Sequence, residues 1–494
     1  MLRRRYRLSA RSHLAASGQP PWLICEHPLQ ALSLNPAAAA LLSALDGEAW
    51  LDELVEPVPP MWTDYLDGLV ERGVLRAEYR AVAPEDWPPV HIVIPVYRDA
   101  DRLRRCLGSL VKLAYPPGRL TVTVVDDGSA PAPAAALGGP PLAPRWVRLE
   151  PNTGPASARN AGVASLGALS QDALLAFIDS DCEAEPDWLR ELVSVLEGGD
   201  YAAVGGAVLG LRADSLLARY EDACSSLRMG ERPGRVAEKD APVPYLPACN
   251  LLVRMEAFRA LGGFRAGWRT GEDVDLCWRL ADSGRRIFYW PNGAVRHDHR
   301  VTWRGFLSRK RDYARSEGPL SRRHPRRFAV RPDAWAFDVA LVLFGSALVL
   351  PGGFPRLALG LELAGLMLLS ATDTLHLGRA LVRWPWAVHP LFAGAILGAF
   401  ARQAVARVLQ QSRWVLRHLA LPLLLVCLAM PSLWPLASGI VVAGTAGEWL
   451  SRRPALRWWQ FVLGWWAECL AYSLGWLEGL ILAFRRRAER AESR

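Results

Sequence analysis

The sequence predicts an α/β fold in which a mostly parallel sheet is covered by helices on both faces. A small winged-helix-like domain precedes it and a helical membrane region follows it. Between residues 84 and 328, short apolar runs alternate with amphipathic segments, which is typical of parallel sheets. Residues 1–83 form helical patterns closed by a strand, whereas residues 329–494 are dominated by Leu, Ala, Trp, Val and Gly. We therefore expect three domains with these boundaries.

The composition excludes several classes of function. The chain has 494 residues, of which 51% are hydrophobic, and a formal net charge of +9. No basic stripe is interleaved with aromatic residues, so we expect no nucleic-acid partner. Much of the Arg excess flanks the apolar region, which suits a lipid bilayer. The eight cysteines form no Cys-x-x-Cys pair, so the sequence implies neither a zinc site nor a disulfide framework.

The N-terminal domain shows helix boundaries. Asn35 and Pro36 predict an N-cap and a first helical residue, and Gly73 suits the end of a helix from about Met61 to Arg72. The segment resembles the small peptide-binding domains of the PqqD kind, through Leu34-Asn35, Leu41, Leu42, Leu45-Asp46-Gly47 and Leu69-Val70-Glu71-Arg72-Gly73-Val74-Leu75. The resemblance implies a peptide-derived acceptor; a winged helix that braces its neighbour is the alternative.

The central domain follows a Pro-rich linker, Ala81–Pro89. We expect strands at His91–Val96, Leu120–Val125, Trp146–Leu149 and Leu174–Ile178, and helices at Asp101–Leu113, Ala156–Ser165 and Trp188–Leu196. In open α/β sheets, ligands bind beyond the carboxyl ends of the strands. Polar residues just after each strand are therefore the candidate site.

Two of these strands end in acidic residues. The apolar run Leu174–Ile178 predicts a strand buried on both faces, and it stops at Asp179-Ser180-Asp181. Carboxylates at that point need a positive partner, and a divalent cation that also binds a diphosphate is the natural one; an acidic loop cap is the alternative. The second strand ends at Asp126-Asp127-Gly128-Ser129, where Asp127 can accept the imino hydrogen of a pyrimidine or belong to a simple turn.

Two helix starts complete the candidate site. Pro155 and Arg159 lie in the first turns of a predicted helix, which suits a helix end that faces phosphate or base, or an Ala-rich helix that is merely close-packed. Further on, Gly271-Glu272-Asp273 opens another helix. Both acids suit the positive end of the helix dipole, so capping is one interpretation. The other is that Asp273 is a general base, held ionised by the helix end.

Five ordered motifs between residues 90 and 300 resemble the family 2 glycosyltransferases of the GT-A fold. They are Ile94-Pro95-Val96-Tyr97, Val125-Asp126-Asp127-Gly128-Ser129, Ala158-Arg159-Asn160, Asp179-Ser180-Asp181, and Gly262-Gly263-Phe264 with Glu272-Asp273. The resemblance implies a UDP-sugar donor. Pro95 and Tyr97 would line its base and ribose, with Asp127 near the uracil.

The same resemblance implies a metal-dependent transfer that inverts the anomeric carbon. Asp179 and Asp181 would hold ribose and metal (Mg²⁺ or Mn²⁺), while Asp273 would take the proton of the acceptor hydroxyl. His297 is a candidate further metal ligand; a lone surface histidine is the alternative. The Gln-x-x-Arg-Trp of processive synthases is absent from the corresponding stretch Arg309–Arg315, which argues against a cellulose-synthase-like channel.

The C-terminal region contains apolar runs that suit membrane-spanning helices. They are Ala334–Leu350, Leu357–Thr372, Ala387–Phe400, Leu419–Val442 and Phe461–Phe484. Cations at both ends of the region predict an even number of crossings of the cell membrane, with the catalytic domain in the cytoplasm. A soluble all-helical domain is the alternative.

The order of these domains resembles the membrane glycosyltransferases of mycofactocin biosynthesis. That resemblance implies transfer of a hexose, expected to be glucose, to a peptide-derived redox cofactor, building a short oligosaccharide. Two other functions stay open: a family 2 transferase acting on a lipid or cell-wall polysaccharide, and a non-catalytic peptide-binding scaffold. The intact Asp179, Asp181 and Asp273 argue against the scaffold.

Overall fold

The computed structural model describes residues 4–10, 12–15, 21–26, 29–55, 58–137, 139, 142–167, 173–238, 241–328, 391–452 and 454–492. The chain divides into two compact units, Met1–His299 and Arg300–Arg494. The helix Trp303–Arg323 belongs to the second unit, since it packs along the last helix, Trp458–Glu492. This division differs from our boundary at residue 328, and the assignment of three domains stays a prediction.

The N-terminal module consists of two small antiparallel sheets and three helices. Its elements are β1 (Arg4–Leu8), β2 (Ser12–Ala15), β3 (Trp22–Glu26), β4 (Leu29–Ser33), α1 (Pro36–Ala44), α2 (Leu51–Leu54), α3 (Pro60–Glu71) and β5 (Leu75–Tyr79). β2, β3 and β4 form one sheet, and β1 pairs with β5. Asn35 caps α1 as expected, because its side chain accepts a hydrogen bond from the backbone N–H of Ala38. The helical patterns of the sequence do not predict β1, β2 and β3, which precede the first helix.

The remaining strands of the first unit form a large and a small sheet. They are β6 (Val90–Val96), β7 (Leu120–Asp127), β8 (Arg145–Leu149), β9 (Leu174–Phe177), β10 (Cys182–Ala184), β11 (Ala203–Gly205), β12 (Val208–Gly210), β13 (Gly234–Arg235), β14 (Leu251–Arg254), β15 (Ile287–Tyr289) and β16 (Val295–His297). The large sheet has the order β13-β15-β11-β14-β9-β6-β7-β8, and the small sheet has the order β10-β16-β12. β6, β7, β8 and β9 run parallel, as predicted, whereas β14 is antiparallel to β9 and β11.

Helices pack on both faces of the large sheet. The helices of this part of the chain are α4 (Ala100–Leu110), α5 (Pro133–Ala136), α6 (Pro155–Ala164), α7 (Trp188–Gly198), α8 (Leu216–Cys224), α9 (Met255–Ala260) and α10 (Glu272–Asp282); α8 packs on β12 of the small sheet and α5 on α4. Leu103 and Leu107 on α4 are fully buried, as their helical spacing predicts. α6 lies close to the sheet at Gly162, where a Cβ would come within 2.5 Å of the Val93 side chain. The prediction of an α/β fold with both faces covered is confirmed.

A buried ionic network joins the N-terminal module to the large sheet. The Asp67 carboxylate, on α3, accepts hydrogen bonds from Arg4 (3.1 Å), from the Tyr201 hydroxyl (2.8 Å) and from Arg286 (2.6 Å). Arg4 and Asp67 have no exposed surface. Burial and the nearby Asp67 raise the pKa of Tyr201 well above its ordinary value, so that its hydroxyl stays a donor.

A second ion pair lies at the same junction. Glu71, at the end of α3, accepts hydrogen bonds at 2.7 Å from the backbone N–H and Nε of Arg235 and at 3.0 Å from its Nη2. Arg235 belongs to β13, the edge strand of the large sheet. The module is therefore attached at that edge through charges that are costly to separate.

The described part of the second unit is helical. Its described helices are Trp303–Arg323, Pro325–Phe328, Leu391–Ala429, Trp434–Arg452 and Trp458–Glu492. The first and last of these approach closely at Gly475, where a Cβ would lie 2.2 Å from the carbonyl oxygen of Arg311. Charges also pair inside the unit: Lys310 and Glu468 lie 3.2 Å apart and their side chains are 1% and 3% exposed.

The described part of the second unit covers two predicted spans in full. Phe461–Phe484 lies inside one helix, Trp458–Glu492, but among the described residues this helix has no stretch apolar enough to cross a membrane. Ala334–Leu350, Leu357–Thr372 and the start of Ala387–Phe400 lie outside the described residues. Leu419–Val442 is not one helix, because a turn at Pro431–Leu433 separates two helices; Pro431 lacks an N–H and disfavours a helical Met430. Within the described residues, one stretch, Ser412–Ala429, is long and apolar enough to cross a membrane. Multi-pass topology stays a prediction.

We predict that Asp67→Asn lowers the free energy of unfolding of the first unit by about 3–5 kcal/mol, since it leaves the buried Arg4 without its carboxylate and removes one of the two carboxylates that pair with Arg286. Chemical denaturation of the full chain measures this. Asp64→Asn is the matched control: Asp64 also pairs with Arg286, but its side chain is 59% exposed, so the change should stay within about 1 kcal/mol. Equal effects of the two substitutions would contradict the prediction.

Candidate active site

The carboxyl ends of three neighbouring parallel strands lie side by side at one end of the large sheet. β6 lies between β7 and β9, and all three run in the same direction. Tyr97 follows β6, Asp127 ends β7 and Asp179 follows β9. Tyr97 is 44% exposed and Pro95 is partly buried. This end of the sheet therefore brings together residues from three predicted motifs and leaves an aromatic ring open to solvent.

Asp127 organises the loop that leads into α6. Its carboxylate accepts hydrogen bonds from the backbone N–H groups of Thr153 and Gly154, both at 2.8 Å, and from the Thr153 hydroxyl at 3.1 Å. The neighbouring Gly128 has φ +73°, and a Cβ there would lie 2.8 Å from the backbone nitrogen of Asn152. A carboxylate has about four lone-pair positions, so one remains for a ligand.

Arg159 links the predicted motifs. Its guanidinium donates to Asp179 at 2.6 Å and to Glu272 at 2.8 Å. The residue is 2% exposed and lies over the ring of Phe264, 5.4 Å from its centre. Burial opposes its charge, but Asp179 and Glu272 outweigh burial and raise the pKa of Arg159. A cation fixed in this way holds α6, the end of β9 and the start of α10 together.

Asn160, next along α6, holds the glycine-rich loop. Its amide nitrogen donates to the carbonyl of Phe264 at 2.7 Å, and its amide oxygen accepts from the Phe264 N–H at 3.0 Å. Gly263 has φ +72°, and a Cβ there would come within 2.6 Å of that amide oxygen. Only glycine fits this position without displacing Asn160, which explains the Gly262-Gly263-Phe264 motif.

Asp273, at the start of α10, immediately follows Glu272, which pairs with Arg159. It accepts hydrogen bonds from the N–H groups of Val274 (2.8 Å) and Ala248 (3.3 Å). Burial, followed by the adjacent negative charge of Glu272, raises the pKa of Asp273 to about 7. The position at a helix start predicts that the ionised form is favoured. Desolvation and the like charge dominate instead, which puts the proton affinity in the range that suits a general base.

A group of possible metal ligands lies next to the Asp179-Ser180-Asp181 turn. Among the described residues, Asp181, Cys182 and His297 offer ligand atoms that all lie within 4.8 Å of one another. His297 Nε2 is 3.5 Å from Asp181 Oδ1, and the described residues provide no hydrogen-bond partner for its Nδ1. His299 instead lies 3.6 Å from Glu221. Of the two histidines, His297 is thus the one beside the acidic turn.

Sequence reasoning missed Asp298, which fixes the end of β16. Its carboxylate is almost fully buried and lies 2.8–3.0 Å from Arg102, Arg105 and Arg212. Burial opposes ionisation, but Arg102 and the other arginines hold the pKa of Asp298 below its ordinary value. Arg102 and Arg105 lie on α4 and Arg212 follows β12, all far in sequence from Asp298, so no local pattern could reveal that they meet it beside His297.

The model of the family "Glycosyl transferase family 2" matches residues 91–262. The "Pre-mycofactocin glycosyltransferase" of Mycobacterium tuberculosis is 33% identical over 387 residues, which are 75% of this chain and 75% of that protein. The chain belongs to glycosyl transferase family 2. The "Glycosyltransferase AglE" of Haloferax volcanii is 28% identical to this glycosyltransferase over 212 residues, 41% of this chain and 64% of that protein.

Among solved structures, the mannosyltransferase PcManGT from Pyrobaculum calidifontis, in complex with GDP-Man and Mn²⁺, is similar to the glycosyltransferase at a TM-score of 0.38 and 17% identity. The match covers 80% of this chain and 95% of that one. The resemblance to mycofactocin glycosyltransferases, which rests on the order of the domains, is confirmed by the relative that spans three quarters of both chains. The PqqD-like nature of the N-terminal module stays a prediction.

Proposed function

We propose that this glycosyltransferase moves a hexose, expected to be glucose, from a UDP-sugar to a peptide-derived redox cofactor of the mycofactocin type. The transfer inverts the anomeric carbon, and repeated transfers build a short oligosaccharide. The acceptor is supported by the likeness to a pre-mycofactocin glycosyltransferase, which extends well beyond the 91–262 region shared with the whole family. The chemistry is supported by the contact of Arg159 with both Asp179 and Glu272.

The sugar donor would bind at the carboxyl ends of β6, β7 and β9 in the large sheet. Pro95 and Tyr97 would cover the base and ribose, the free lone pair of Asp127 would accept the imino hydrogen of uracil, and Asp179 would contact the ribose. Arg159 would act by holding the Asp179 carboxylate in place, since its own guanidinium is already engaged by two acids. The side chains that would bind the UDP-sugar are thus oriented before it arrives, which reduces the entropy cost of its binding.

The Asp181–His297 pair fits a divalent cation. Their facing oxygen and nitrogen atoms are 3.5 Å apart and partly open to solvent, as two ligands of one ion would be. Mg²⁺ or Mn²⁺ held there would neutralise the leaving diphosphate as a Lewis acid. Asp298, clamped by three arginines, would keep His297 oriented toward Asp181.

Asp273 would act as the general base. Its hydrogen bonds to the N–H groups of Val274 and Ala248 fix the carboxylate, and its raised pKa suits removal of a proton from an acceptor hydroxyl near neutral pH. That hydroxyl would attack the anomeric carbon on the face opposite the diphosphate. A single displacement of this kind needs one base and inverts the configuration.

Two other functions remain to be distinguished. A transferase acting on a lipid or polysaccharide is the enzyme alternative, and its product would be found in membrane or cell-wall fractions. A peptide-binding scaffold without activity is the other. A multi-pass membrane location belongs to this proposal, and the apolar stretch Ser412–Ala429 is long enough for one of the crossings. A precursor-peptide gene beside this one would favour the proposed acceptor.

We expect Asp181→Ala to abolish transfer, because the charge of the leaving diphosphate is then left without compensation. Product formation is measured with Mn²⁺ and with a chelator, using circular dichroism to check that the fold survives. Asp187→Ala is the control, since that half-exposed carboxylate pairs with Arg190 on α7. Full activity of wild type in the presence of chelator would disprove the metal's role.

We expect Asp273→Asn to lower kcat by at least about 10²-fold, with nucleotide-sugar binding retained, because the amide cannot accept the acceptor's proton. Wild-type activity should fall as the pH decreases through about 7, where Asp273 gains a proton. Glu272→Gln, the control beside it, should reduce activity less if Glu272 only supports Arg159. Near-normal turnover of Asp273→Asn would place the base elsewhere.

Stability gives an independent test of the same carboxylate. A folded-state pKa of about 7 lies above the ordinary 3.8, so wild-type stability should decrease as pH rises between these values and level off above 7. Asp273→Asn removes this loss. The variant should therefore unfold at the same or a higher temperature than wild type at pH 8, whereas an acid that merely caps the helix would leave the variant less stable.

If the N-terminal module binds the acceptor, added peptide that corresponds to the unmodified part of the precursor should compete with the acceptor. We expect it to raise the KM for the acceptor and to leave hydrolysis of the sugar donor unchanged. A scrambled peptide is the control. Deleting residues 1–81 is a poorer test, since it also removes the partners of Arg235 and Arg286. Absence of inhibition, or competition against the donor, would favour a module that only braces the catalytic domain.

A further inference from the structure

The possible metal site contains a thiol that the proposed reaction does not use. Cys182 is the first residue of β10 and His297 is the last residue of β16, and the two residues pair directly across the antiparallel ladder. Side chains of such pairs lie on the same face of the sheet and close together. Asp181 immediately precedes Cys182, so a carboxylate, a thiol and an imidazole converge through the strand register itself.

The distances suit a small ion. Ligand atoms of all three residues lie within 4.8 Å of one another, and the nearest oxygen–nitrogen pair is 3.5 Å apart. Tetrahedral zinc, with bonds of about 2.0–2.3 Å, separates its ligand atoms by about 3.3–3.8 Å. Small side-chain adjustments would therefore bring the three atoms onto one ion. The Asp181 and His297 side chains are 17% and 13% exposed, so an ion can enter past them to the buried thiol.

The chemistry of this set of ligands differs between metals. Carboxylate oxygen suits Mg²⁺ and Mn²⁺, whereas thiolate sulfur selects softer ions such as Zn²⁺. We propose that Asp181, Cys182 and His297 form a zinc-binding site, which Zn²⁺ occupies in competition with the activating cation. On binding, the thiol loses its proton to solvent and a Zn–S bond forms, with no change of oxidation state.

Bound zinc would inhibit transfer. Three protein ligands on a tetrahedral ion leave one open position, whereas a six-coordinate Mn²⁺ held by Asp181 and His297 keeps several positions for diphosphate oxygens and water. Free zinc would thereby lower the activity of the enzyme. The inhibition depends on the proposed transferase function, but the zinc site itself does not, and the two can be tested separately.

Binding is measured on the full-length protein in detergent with Zn²⁺ and a chromophoric chelator as competitor, for wild type and Cys182→Ser. Serine keeps a hydroxyl that can replace the thiol in its hydrogen bond with Cys249. Removing a direct ligand should weaken zinc binding at least tenfold, as loss of an outer-shell partner alone costs about 10–100-fold. Mn²⁺ affinity, from the electron paramagnetic resonance of free Mn²⁺, should change much less.

Cys106→Ser is the matched control. This thiol is equally buried and close to the acidic turn, but it donates to the backbone carbonyl of Asp179 and lies outside the group of ligand atoms. Its zinc affinity should equal that of wild type. Co²⁺ bound to wild type should show sulfur-to-cobalt charge-transfer absorption, which Cys182→Ser lacks and Cys106→Ser retains.

Equal zinc affinity in wild type and Cys182→Ser, or the same loss of affinity in both cysteine variants, would overturn the zinc site. The absence of charge-transfer absorption in wild type would exclude the sulfur ligand. If the absorption appears but Mn²⁺ gives no activity, the zinc site stands and the proposed transferase chemistry fails. If transfer depends on Mn²⁺ but Co²⁺ shows no sulfur-to-cobalt absorption, the proposed transferase chemistry stands and the zinc site fails.

Discussion

The arrangement of the site depends on one buried cation. Arg159 is withdrawn from water, and such a charge persists only where carboxylates and hydrogen bonds compensate its desolvation. Asp179 and Glu272 provide that compensation from two elements that are far apart in the sequence. Their positions are therefore determined by electrostatics as well as by the sheet, and Asp181 and Asp273 follow because each is a near neighbour of one of the two.

The same requirement has a cost for Asp273. The negative charge that Glu272 contributes to Arg159 also acts on the adjacent carboxylate, and it acts in a poorly hydrated environment. A helix start would ordinarily favour an ionised acid, yet here burial and, after it, the like charge of Glu272 outweigh the helix end. Glu272 thus stabilises the structure, while the neighbouring Asp273 becomes a stronger base. The two acids differ because Glu272 pairs with the Arg159 guanidinium.

Much of this could be predicted from the sequence where local patterns carry the information. The apolar runs before Asp127 and Asp179 revealed buried strands, and the alternation with helices revealed their parallel direction. What could not be predicted depends on pairings between distant segments. Asp298 meets three separate arginines, Cys182 meets His297 only through strand register, and β1 is recognisable only by its partner β5. The break at Pro431 could have been found, since proline disfavours helix continuation, but the uncharged run on both sides concealed it.

The N-terminal module has consequences for how such enzymes can be re-engineered. It would be natural to treat a recognition module as a detachable adaptor and to exchange it for one that accepts another peptide. Here, however, Asp67 and Glu71 neutralise Arg286 and Arg235 of the catalytic domain. A transplanted module must bring equivalent carboxylates on its third helix, or the host must lose both arginines. Under the proposed role in acceptor binding, altering specificity therefore means changing the module's solvent-facing residues while the residues that contact the catalytic domain are kept.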